Sequence, residues 1–258
     1  MAGRLNGAIA MITGGAGGIG GATARLFRAE GAHVAIVDLS PEGLREAEAE
    51  IVDGVAGTEM LTVAADISRE DEAACAVAET VSAFGGLSVL INNAGIREYG
   101  GLAEASAASW RRIIDVNLLG TANCTKAALP VLRKASRSSI VNVSSVYAEV
   151  GRKGMGQYDA TKAAILSLTR SWAWEEAAHG VRVNAVCPGA TLTPYHVMRY
   201  GAQGVSREDL DARQTDASLM GRWAAPREVA YPILWLASDE ASFMTGVALM
   251  VDGGRSAM

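Results

Sequence analysis

The amino-acid sequence predicts an α/β fold in which one domain is built on a doubly wound parallel sheet with helices on both faces. The 258-residue chain has no Pro- or Ser-rich linker that would divide it, and half of its residues are hydrophobic, so it can bury one large core. Its strand-length segments are apolar throughout, as in strands that are covered on both faces. Segments with helical periodicity separate them. We therefore expect a single domain over residues 1–258.

The predicted elements alternate along the chain. The apolar runs predicted as strands are 8–12, 33–37, 60–64, 89–91, 140–143, 181–186 and 247–251. The main segments predicted as helices are 20–30, 41–52, 69–84, 106–132 and 158–178. Proline at the first helical position supports the start of the 41–52 helix at Pro41 and marks one further helix, which starts at Pro226. The stretch 194–223 breaks the alternation, and we predict that it is a helical insertion that forms a lid over a site.

Charge and composition exclude several classes of function. The net charge is −5 and there is no basic run, which argues against nucleic acid or an anionic membrane surface as the partner. No apolar run approaches the roughly 20 residues that span a bilayer, and the first residues lack the apolar core of a signal peptide. The cysteines and histidines have no metal-ligand spacing. We therefore expect no metal site, and a cytoplasmic protein with buried thiols.

A glycine-rich turn at 13–20 directly follows the first predicted strand and leads into a helix. Glycines there let the backbone approach a pyrophosphate at the positive end of the helix. A flexible turn without a ligand is the alternative. The second predicted strand ends at Asp38, where a carboxylate can accept hydrogen bonds from the hydroxyls of an adenosine ribose. A helix cap near Ser40 would explain Asp38 by itself, but not its pairing with the glycine turn.

Tyr158 and Lys162 lie one helical turn apart, and Ser145 precedes Tyr158 by 13 residues. A tyrosine hydroxyl titrates near 10, so acid–base work near neutrality requires its pKa to fall by roughly 3, which corresponds to about 4 kcal/mol. A lysine at i+4 on the same helix face can supply much of that by stabilising the phenolate. The serine hydroxyl can hold the substrate oxygen that exchanges the proton. Tyrosine and lysine at this spacing are also typical of an ordinary surface pair.

Taken in order, the motifs of this chain resemble those of the short-chain dehydrogenase/reductase family, over about residues 7–254 of the sequence. The residues that carry the resemblance are Thr13, Gly14, Gly18, Gly20, Asp66–Ile67, the Asn-Asn-Ala-Gly run at 92–95, Asn117, Ser145, Tyr158, Lys162, Pro188–Gly189 and the Val-Asp-Gly-Gly run at 251–254. The resemblance implies a Rossmann-type sheet, a nicotinamide cofactor and commonly a homotetramer.

The resemblance also implies roles for individual residues. The catalytic set would be Asn117, Ser145, Tyr158 and Lys162, in which Asn117 holds a water that links Lys162 to solvent. The cofactor set would be Gly14, Gly18, Ile19, Gly20, Asp38, Asp66, Ile67, Asn93, Ala94, Gly95, Tyr158, Lys162, Pro188, Gly189, Thr191 and Thr193. Ser145 is preferred to Ser144 because the active serine of the family commonly lies thirteen residues before the tyrosine. Without the resemblance, Asn117 would be interpreted as a local backbone partner and the strand-end residues as turns.

The function that this implies is an NAD-dependent oxidoreductase that interconverts a secondary alcohol and a ketone without a metal. NAD is expected over NADP because Asp38 would repel a 2′-phosphate. A non-catalytic dinucleotide-binding regulator and a 3-oxoacyl-thioester reductase are the alternatives. An epimerase or dehydratase on a related fold is a further one, although those proteins typically have a larger C-terminal substrate region. The partner would be a small alcohol or ketone, and its identity is left open.

Candidate substrate-contacting residues cluster after the strands and in the predicted lid. They are Arg97, Tyr99, Tyr147, Met155, Tyr195, Met198 and Trp223. Arg152 and Lys153, in the loop between Ser145 and Tyr158, predict an anion site together with Arg97 and His196. The alternative is that Arg152 and Lys153 are solvated, or that they pair with Glu149 across a subunit contact.

Overall fold

The computed structural model describes residues 3–52, 57–212 and 218–258. Within these residues a seven-stranded sheet has the order β3-β2-β1-β4-β5-β6-β7, and each neighbouring pair of strands is parallel. The strands are β1 Ile9–Thr13, β2 His33–Asp38, β3 Met60–Ala64, β4 Val89–Asn92, β5 Ser138–Val143, β6 Val181–Pro188 and β7 Ala248–Val251. The predicted fold class is confirmed.

Helices cover both faces of the sheet. They are α1 Gly18–Ala29, α2 Pro41–Val52, α3 Glu70–Phe84, α4 Ala107–Ile114, α5 Gly120–Leu132, α6 Gly156–Glu176, α7 Pro194–Gly201, α8 Arg207–Ala212 and α9 Pro226–Ala237. One apolar core lies between the sheet and α1, α2 and α9, with Phe27 at its centre. A second core lies beneath α3, α5 and α6. The strands are therefore buried on both sides, which is why their sequences are apolar without alternation.

The strand order reverses between β1 and β4. The chain winds outward from β1 through β2 to β3, and then returns to place β4 on the other side of β1. The connections after β1 and β4 therefore leave the sheet in opposite directions, which opens a crevice at the carboxyl ends of these strands. The glycine-rich turn after β1 and the 92–95 motif at the end of β4 meet at this crevice.

The long helix predicted at 106–132 is interrupted. It begins at a Ser106 cap, whose Oγ accepts a hydrogen bond from the Ser109 amide at 3.1 Å, and it continues through α4 and α5. Between them, Asp115–Leu119 forms a π-helical turn. Such turns occur frequently at functional sites because they shift the following side chains around the helix axis. The buried side chain of Asn117 lies within this turn.

The predicted insertion at 194–223 contains α7 and α8, and its residues 213–217 lie outside the described residues. Its two ends are tied together by a parallel bridge between Thr191 and Ala224. The Leu192 amide donates to the Ala224 carbonyl at 2.9 Å, and the Ala224 amide donates to the Ala190 carbonyl at 2.8 Å. The segment therefore leaves and re-enters the domain at one point beside β6.

The three cysteines are free. Burial raises the pKa of Cys124 to about 12 and that of Cys187 to about 11. Cys75 is exposed, so the expectation of buried thiols is wrong for this residue. Within the described ranges, no group of three or more His, Cys, Asp or Glu side chains could hold a metal ion. No helix in the same ranges is long and apolar enough to cross a membrane.

Candidate active site

A cleft of about 970 Å³ lies at the carboxyl ends of the central strands. Almost all of the predicted cofactor and catalytic residues line it. These residues are Gly14, Gly18, Ile19, Asp38, Asp66, Ile67, Asn93, Ala94, Gly95, Ser145, Tyr158, Lys162, Pro188, Gly189, Thr191 and Thr193. Gly20 and Asn117 are buried behind its wall. Residues that are far apart in sequence are thus brought together at one edge of the sheet.

The glycine-rich turn is packed too closely for side chains at Gly14, Gly15 and Gly20. A Cβ added at Gly15 would lie 2.5 Å from the Ile36 Cβ. Gly14 has a positive φ of 65°, and a Cβ added there would lie 2.8 Å from the Ala94 Cα. A Cβ at Gly20 would lie 2.1 Å from the Gly14 carbonyl oxygen. At Gly17, in contrast, an added Cβ would meet nothing within 4 Å. The turn therefore leaves an open cradle at the start of α1, which fits a pyrophosphate bound by backbone amides.

Asn93 holds this turn against β4. Its Nδ2 donates to the carbonyl oxygens of Thr13 and Gly14, each at 3.0 Å. The Thr13 hydroxyl in turn accepts hydrogen bonds from the amides of Asn93 and Ala94, at 3.0 and 3.1 Å. Two strand ends are locked together by side chain to main chain bonds, so the shape of the cradle is fixed by the protein itself.

Asp38 lies at the end of β2 and lines the cleft. One carboxylate oxygen accepts from the Ala16 amide at 3.1 Å, and the other accepts from the Ser40 amide at 3.3 Å. Asp38 therefore braces the glycine-rich turn and also makes the local contact near Ser40 that was the alternative interpretation. The following residue, Leu39, also lines the cleft and is 70% exposed.

Tyr158 is 7% exposed and lies on the first turn of α6 among positive charges. Burial raises the pKa of its hydroxyl, while the charges of Lys162, Arg97 and Arg152 lower it, helped by a hydrogen bond with Ser145. The cations outweigh burial, and the pKa falls below the usual value of about 10. A buried hydroxyl with a lowered pKa is suited to proton transfer.

A hydrogen bond to the end of β5 holds the Lys162 side chain in place. Its Nζ donates to the Val143 carbonyl oxygen at 2.8 Å and lies 5.6 Å from the centre of the Tyr158 ring. Burial lowers the pKa of Lys162, and the adjacent Tyr158 opposes that shift. The neighbouring Ser144 also supports α6, since its hydroxyl donates to the Lys162 carbonyl oxygen at 2.8 Å. Of the two adjacent serines, Ser145 is the one whose hydroxyl meets Tyr158.

The Asn117 side chain is fully used by protein partners. Its Nδ2 donates to the Ile96 carbonyl at 3.0 Å and to the Thr161 hydroxyl at 3.1 Å. Its Oδ1 accepts from the Ile96 amide at 2.8 Å. It also lies next to the lysine, because a Cβ at Gly95 would be 3.2 Å from the Asn117 Oδ1 and 3.4 Å from the Lys162 Nζ. Asn117 thus anchors the loop after β4, and its role in a water relay stays a prediction.

The wall facing Tyr158 is made of arginines and aromatic rings. Five of the predicted substrate-contacting residues line the cleft together with Arg97, namely Tyr99, Tyr147, Met155, Tyr195 and Trp223. Met198 is 68% exposed and is not among the residues that line the cleft, so its contact with substrate stays a prediction. Sequence reasoning missed Arg199 and Tyr200, which line the cleft from α7. Arg199 and Tyr200 follow Tyr195 and His196 by one helical turn, and this spacing could have identified them as lining residues.

The predicted anion loop is divided between cleft and solvent. Arg152 lines the cleft, whereas Lys153 is exposed and lies outside it. Adjacent loop residues point in different directions, so only one of the two cations reaches the site. Arg152 pairs with Asp159 at 3.2 Å rather than with Glu149. The Arg152 guanidinium carbon also lies 3.6 Å from the centre of the Tyr147 ring.

His196 lines the same wall but carries no charge at neutral pH. Burial, together with the charges of Arg97, Arg199 and Arg152, lowers the pKa of its imidazole to about 4. Its Nδ1 lies 2.9 Å from the Thr193 hydroxyl, and its ring lies 5.3 Å from the centre of the Trp223 ring. His196 therefore does not supply the positive charge that the sequence led us to expect.

Comparison with known proteins agrees with this geometry. A family model described as enoyl-(acyl carrier protein) reductase matches residues 14–256. The chain is 43% identical over 251 residues to cis-4-hydroxycyclohexanecarboxylate dehydrogenase of Sinomonas cyclohexanicum, with 97% of each chain covered. It is 40% identical to 3-oxoacyl-[acyl-carrier-protein] reductase FabG of Thermotoga maritima, over 97% of this chain and 98% of that one. The crystal structure of levodione reductase aligns with a TM-score of 0.90 and 32% identity, over 98% and 99% of the two chains.

The match extends over nearly the whole chain, and the relatives are dehydrogenases and reductases that act on CH–OH groups. The family uses a nicotinamide cofactor, and the cradle at Gly17 and the carboxylate at Asp38 fit the pyrophosphate and the adenosine ribose of such a group. With fold, cleft and relatives in agreement, the chain belongs to the short-chain dehydrogenase/reductase family and is an oxidoreductase that interconverts alcohols and ketones.

Proposed function

We propose that the protein is an NAD-dependent oxidoreductase in which Tyr158 is the acid–base residue for interconversion of a secondary alcohol and a ketone. The observation that carries this proposal is the position of Tyr158: buried at the floor of the cleft, hydrogen-bonded with Ser145, and surrounded by cations that lower its pKa. A hydroxyl held in this state can exchange a proton with a substrate oxygen near neutral pH.

Each catalytic residue has a distinct role. The chemistry that a bound nicotinamide would supply is hydride transfer, from the alcohol carbon in oxidation and to the ketone carbon in reduction. Tyr158 takes the hydroxyl proton during oxidation and returns it during reduction. Ser145 holds the substrate oxygen and stabilises the charge that builds on it. Lys162 keeps the phenolate form accessible, and Asn117 supports the relay between Lys162 and solvent. Gly14, Gly18, Asp38, Asn93 and the other cofactor residues named above hold the dinucleotide.

The preference for NAD over NADP rests on Asp38. Its carboxylate lines the adenosine end of the cleft, and the residue after it is the uncharged Leu39. Among the described residues that line this end, Asp66 is a second acid and none is a lysine or arginine. A 2′-phosphate would therefore meet like charge without a cation to neutralise it.

We also propose a cytoplasmic homotetramer. The exposed thiol of Cys75 suits a reducing compartment. The strand β7 forms one edge of the sheet, and large apolar side chains are exposed nearby, with Phe243 fully accessible and Trp174 on α6 87% exposed. Such surfaces need cover. Light scattering at micromolar concentration should show the mass of four chains, and a monomer at every concentration would contradict the proposal.

The substrate panel follows from the chemistry of the relatives. It contains neutral cyclic secondary alcohols, 4-hydroxycyclohexanecarboxylate, hydroxysteroids and a 3-oxoacyl thioester, because a relative with 43% identity is named for a hydroxycyclohexanecarboxylate and one with 40% identity for a 3-oxoacyl carrier. The thioester also tests the 3-oxoacyl-thioester reductase alternative directly.

The test compares the wild type with Tyr158→Phe by following NADH absorbance. We expect turnover of at least one member of the panel, and a loss of about 10³-fold in kcat for Tyr158→Phe. NAD binding, measured separately by fluorescence, should be unchanged because the aromatic ring is retained. Tyr231→Phe, at a half-exposed surface position, is the matched control and should keep full activity. Substantial activity of Tyr158→Phe would contradict the mechanism, and NAD binding without any turnover would favour the non-catalytic regulator.

A further inference from the structure

The two ends of the cleft have opposite charge. Three arginines line the substrate end: Arg97 after β4, Arg152 before α6 and Arg199 on α7. The only acidic residues among the described residues that line the cleft are Asp38 and Asp66, which lie at the other end with the glycine-rich turn. A concave site lined by cations without carboxylates attracts an anionic ligand, because the low-dielectric walls concentrate the field of these charges.

Arg97 is the least compensated of the three. It is half-buried, and among the residues that the structure describes it forms neither an ion pair nor a hydrogen bond. Its guanidinium carbon lies 5.6 Å from the centre of the Tyr158 ring and 5.2 Å from the centre of the Tyr195 ring. Contacts with these two aromatic rings therefore position the Arg97 guanidinium close to the Tyr158 side chain. Its N–H groups remain available to a ligand.

Arg152 approaches Tyr158 as well. Its guanidinium carbon lies 5.2 Å from the centre of the Tyr158 ring. Its Nη2 lies 3.2 Å from Asp159 Oδ1, whereas its buried Nε has no hydrogen-bond partner among the described residues. The Nε1 atom of Trp223, which lines the same cleft, is also buried, and no group in the described part of the chain bonds to it. Buried donors of this kind are normally satisfied, and an anion in the cleft would accept from such groups.

The pKa of His196 also shows the excess of positive charge at the substrate end of the cleft. The charges of Arg97, Arg199 and Arg152 add to burial in lowering the pKa of its imidazole. The three cations are thus close enough to act on the same imidazole, and within the described ranges only Arg152 has an ion-pair partner, Asp159. A bound anion would offset the remaining charge.

We propose that the substrate carries a carboxylate that is bound by Arg97 and supported by Arg152, with its apolar body packed against Tyr147, Tyr195 and Trp223. This inference rests on the proposed function, since it places the carboxylate beside the carbon whose oxygen meets Tyr158. Arg97 supplies a planar pair of donors that matches a carboxylate. The aromatic wall suits a ring or another flat apolar body.

The experiment measures binding without turnover. A ketone and the oxidised cofactor cannot react with each other, so keto acids are titrated into the NAD-loaded enzyme by calorimetry. The probes are 4-oxocyclohexanecarboxylate, 4-oxopentanoate and 3-oxobutanoate, each with its neutral methyl ester. We expect the wild type to bind at least one acid at least tenfold more tightly than its ester, because a charge-assisted bidentate contact is worth about 10- to 100-fold.

Arg97→Gln should remove that preference and leave the affinity for the ester within threefold. NAD affinity should not change, since a loss there would mean that Arg97 binds the cofactor instead. Arg152→Gln combined with Asp159→Asn, which avoids an unpaired buried carboxylate, should reduce the preference by a smaller factor. Lys153→Gln is the matched control, because Lys153 lies in the same loop but outside the cleft, and it should change nothing.

The outcomes separate this inference from the proposed function. If the wild type prefers no acid to its ester, or if Arg97→Gln keeps the preference, the carboxylate site is wrong even when Tyr158→Phe abolishes turnover. If Tyr158→Phe remains active but the acid preference depends on Arg97, the carboxylate site stands and the assigned acid–base residue is wrong.

Discussion

The cofactor end and the substrate end of the cleft are built by different means. At the cofactor end, side chains such as Asn93 and Asp38 bond to the main chain of the glycine-rich turn. At the substrate end, guanidinium groups rest against aromatic rings, as Arg199 does 3.7 Å from the centre of the Tyr99 ring. Hydrogen bonds to the main chain fix a shape that fits one ligand. Stacked side chains, in contrast, can be substituted one at a time.

The largest effect on activity is expected for Lys162, which lies where the cofactor end and the substrate end of the cleft meet. Replacing it by Met keeps the length of the side chain but removes the charge that lowers the pKa of Tyr158. The Tyr158 pKa should rise, so in alcohol oxidation, where Tyr158 acts as the phenolate, the acidic limb of the profile of kcat/KM against pH should move to higher pH. Activity at pH 7 should fall about 10³-fold, which corresponds to about 4 kcal/mol.

The control for this variant is Lys134→Met, which removes an exposed lysine and should leave the profile in place. A Lys162→Met enzyme with an unchanged pH profile would show that Arg97 and Arg152 suffice to set the Tyr158 pKa.

The second prediction tests whether the cofactor end is fixed by its main chain. Gly20→Ala would place a Cβ against the Gly14 carbonyl, and we expect a loss of about 3 kcal/mol in the free energy of unfolding. Gly17→Ala is its partner variant, because the added Cβ meets no protein atom within 4 Å. It should keep the stability and weaken NAD binding alone. Denaturant unfolding and cofactor titration measure the two effects, and equal stability of both variants would contradict the packing argument.

The third prediction concerns the arginine-rich end. The folded protein lowers the pKa of His196 to about 4, below the value of about 6.5 of an unfolded chain. The unfolded state therefore binds the proton first on acidification, and stability is lost as the pH falls from about 6.5 towards 4. Between pH 7 and pH 4.5, His196 should lower the free energy of unfolding by about 2 to 3 kcal/mol.

His196→Gln should remove that part of the acid sensitivity, as measured by unfolding at both pH values. Replacing the exposed His179 in the same way is the control. An identical loss of stability in wild type and His196→Gln would mean that the imidazole does not titrate with folding.

The smallest predicted effect is at the adenosine end. Asp38→Ala removes the charge that would repel a 2′-phosphate, so the preference for NAD, which we expect to exceed tenfold in kcat/KM, should narrow by about tenfold, or about 1.4 kcal/mol. Because Asp38 also braces the Ala16 amide, Asp38→Asn is a useful companion that keeps an acceptor there without the charge. Equal efficiency of the wild type with both cofactors would overturn the assignment.

Sequence reasoning was sufficient where periodicity or backbone geometry decides the structure. Apolar runs located the strands, because a strand buried on both faces has no polar alternation. The glycines at 14 and 20 located the turn after β1, because only glycine fits the close approaches found there. Both signals are local, so they can be recognised in a single sequence.

The rest depends on contacts between distant segments. The π-helical turn around Asn117 is defined by its packing against Ile96 and Thr161, which no local pattern contains. Arg152 and Lys153 are neighbours of the same charge, and only the path of their loop decides that Arg152 faces the cleft. The same holds for Arg199 and Met198 on α7. Charge and hydropathy identified the candidates, but the direction of each side chain required the fold.

Thr193 belongs to both ends of the cleft. A Cβ at Gly18 would lie 3.3 Å from its methyl carbon, and the same residue is the N-cap of α7, in a reciprocal capping box with His196. In the proposed function the dinucleotide contacts Thr193, so a bound cofactor would touch the residue that caps the start of α7. We expect a compulsory order of binding, with the cofactor entering first and leaving last. The fold would then determine the order in which the cofactor and the substrate bind.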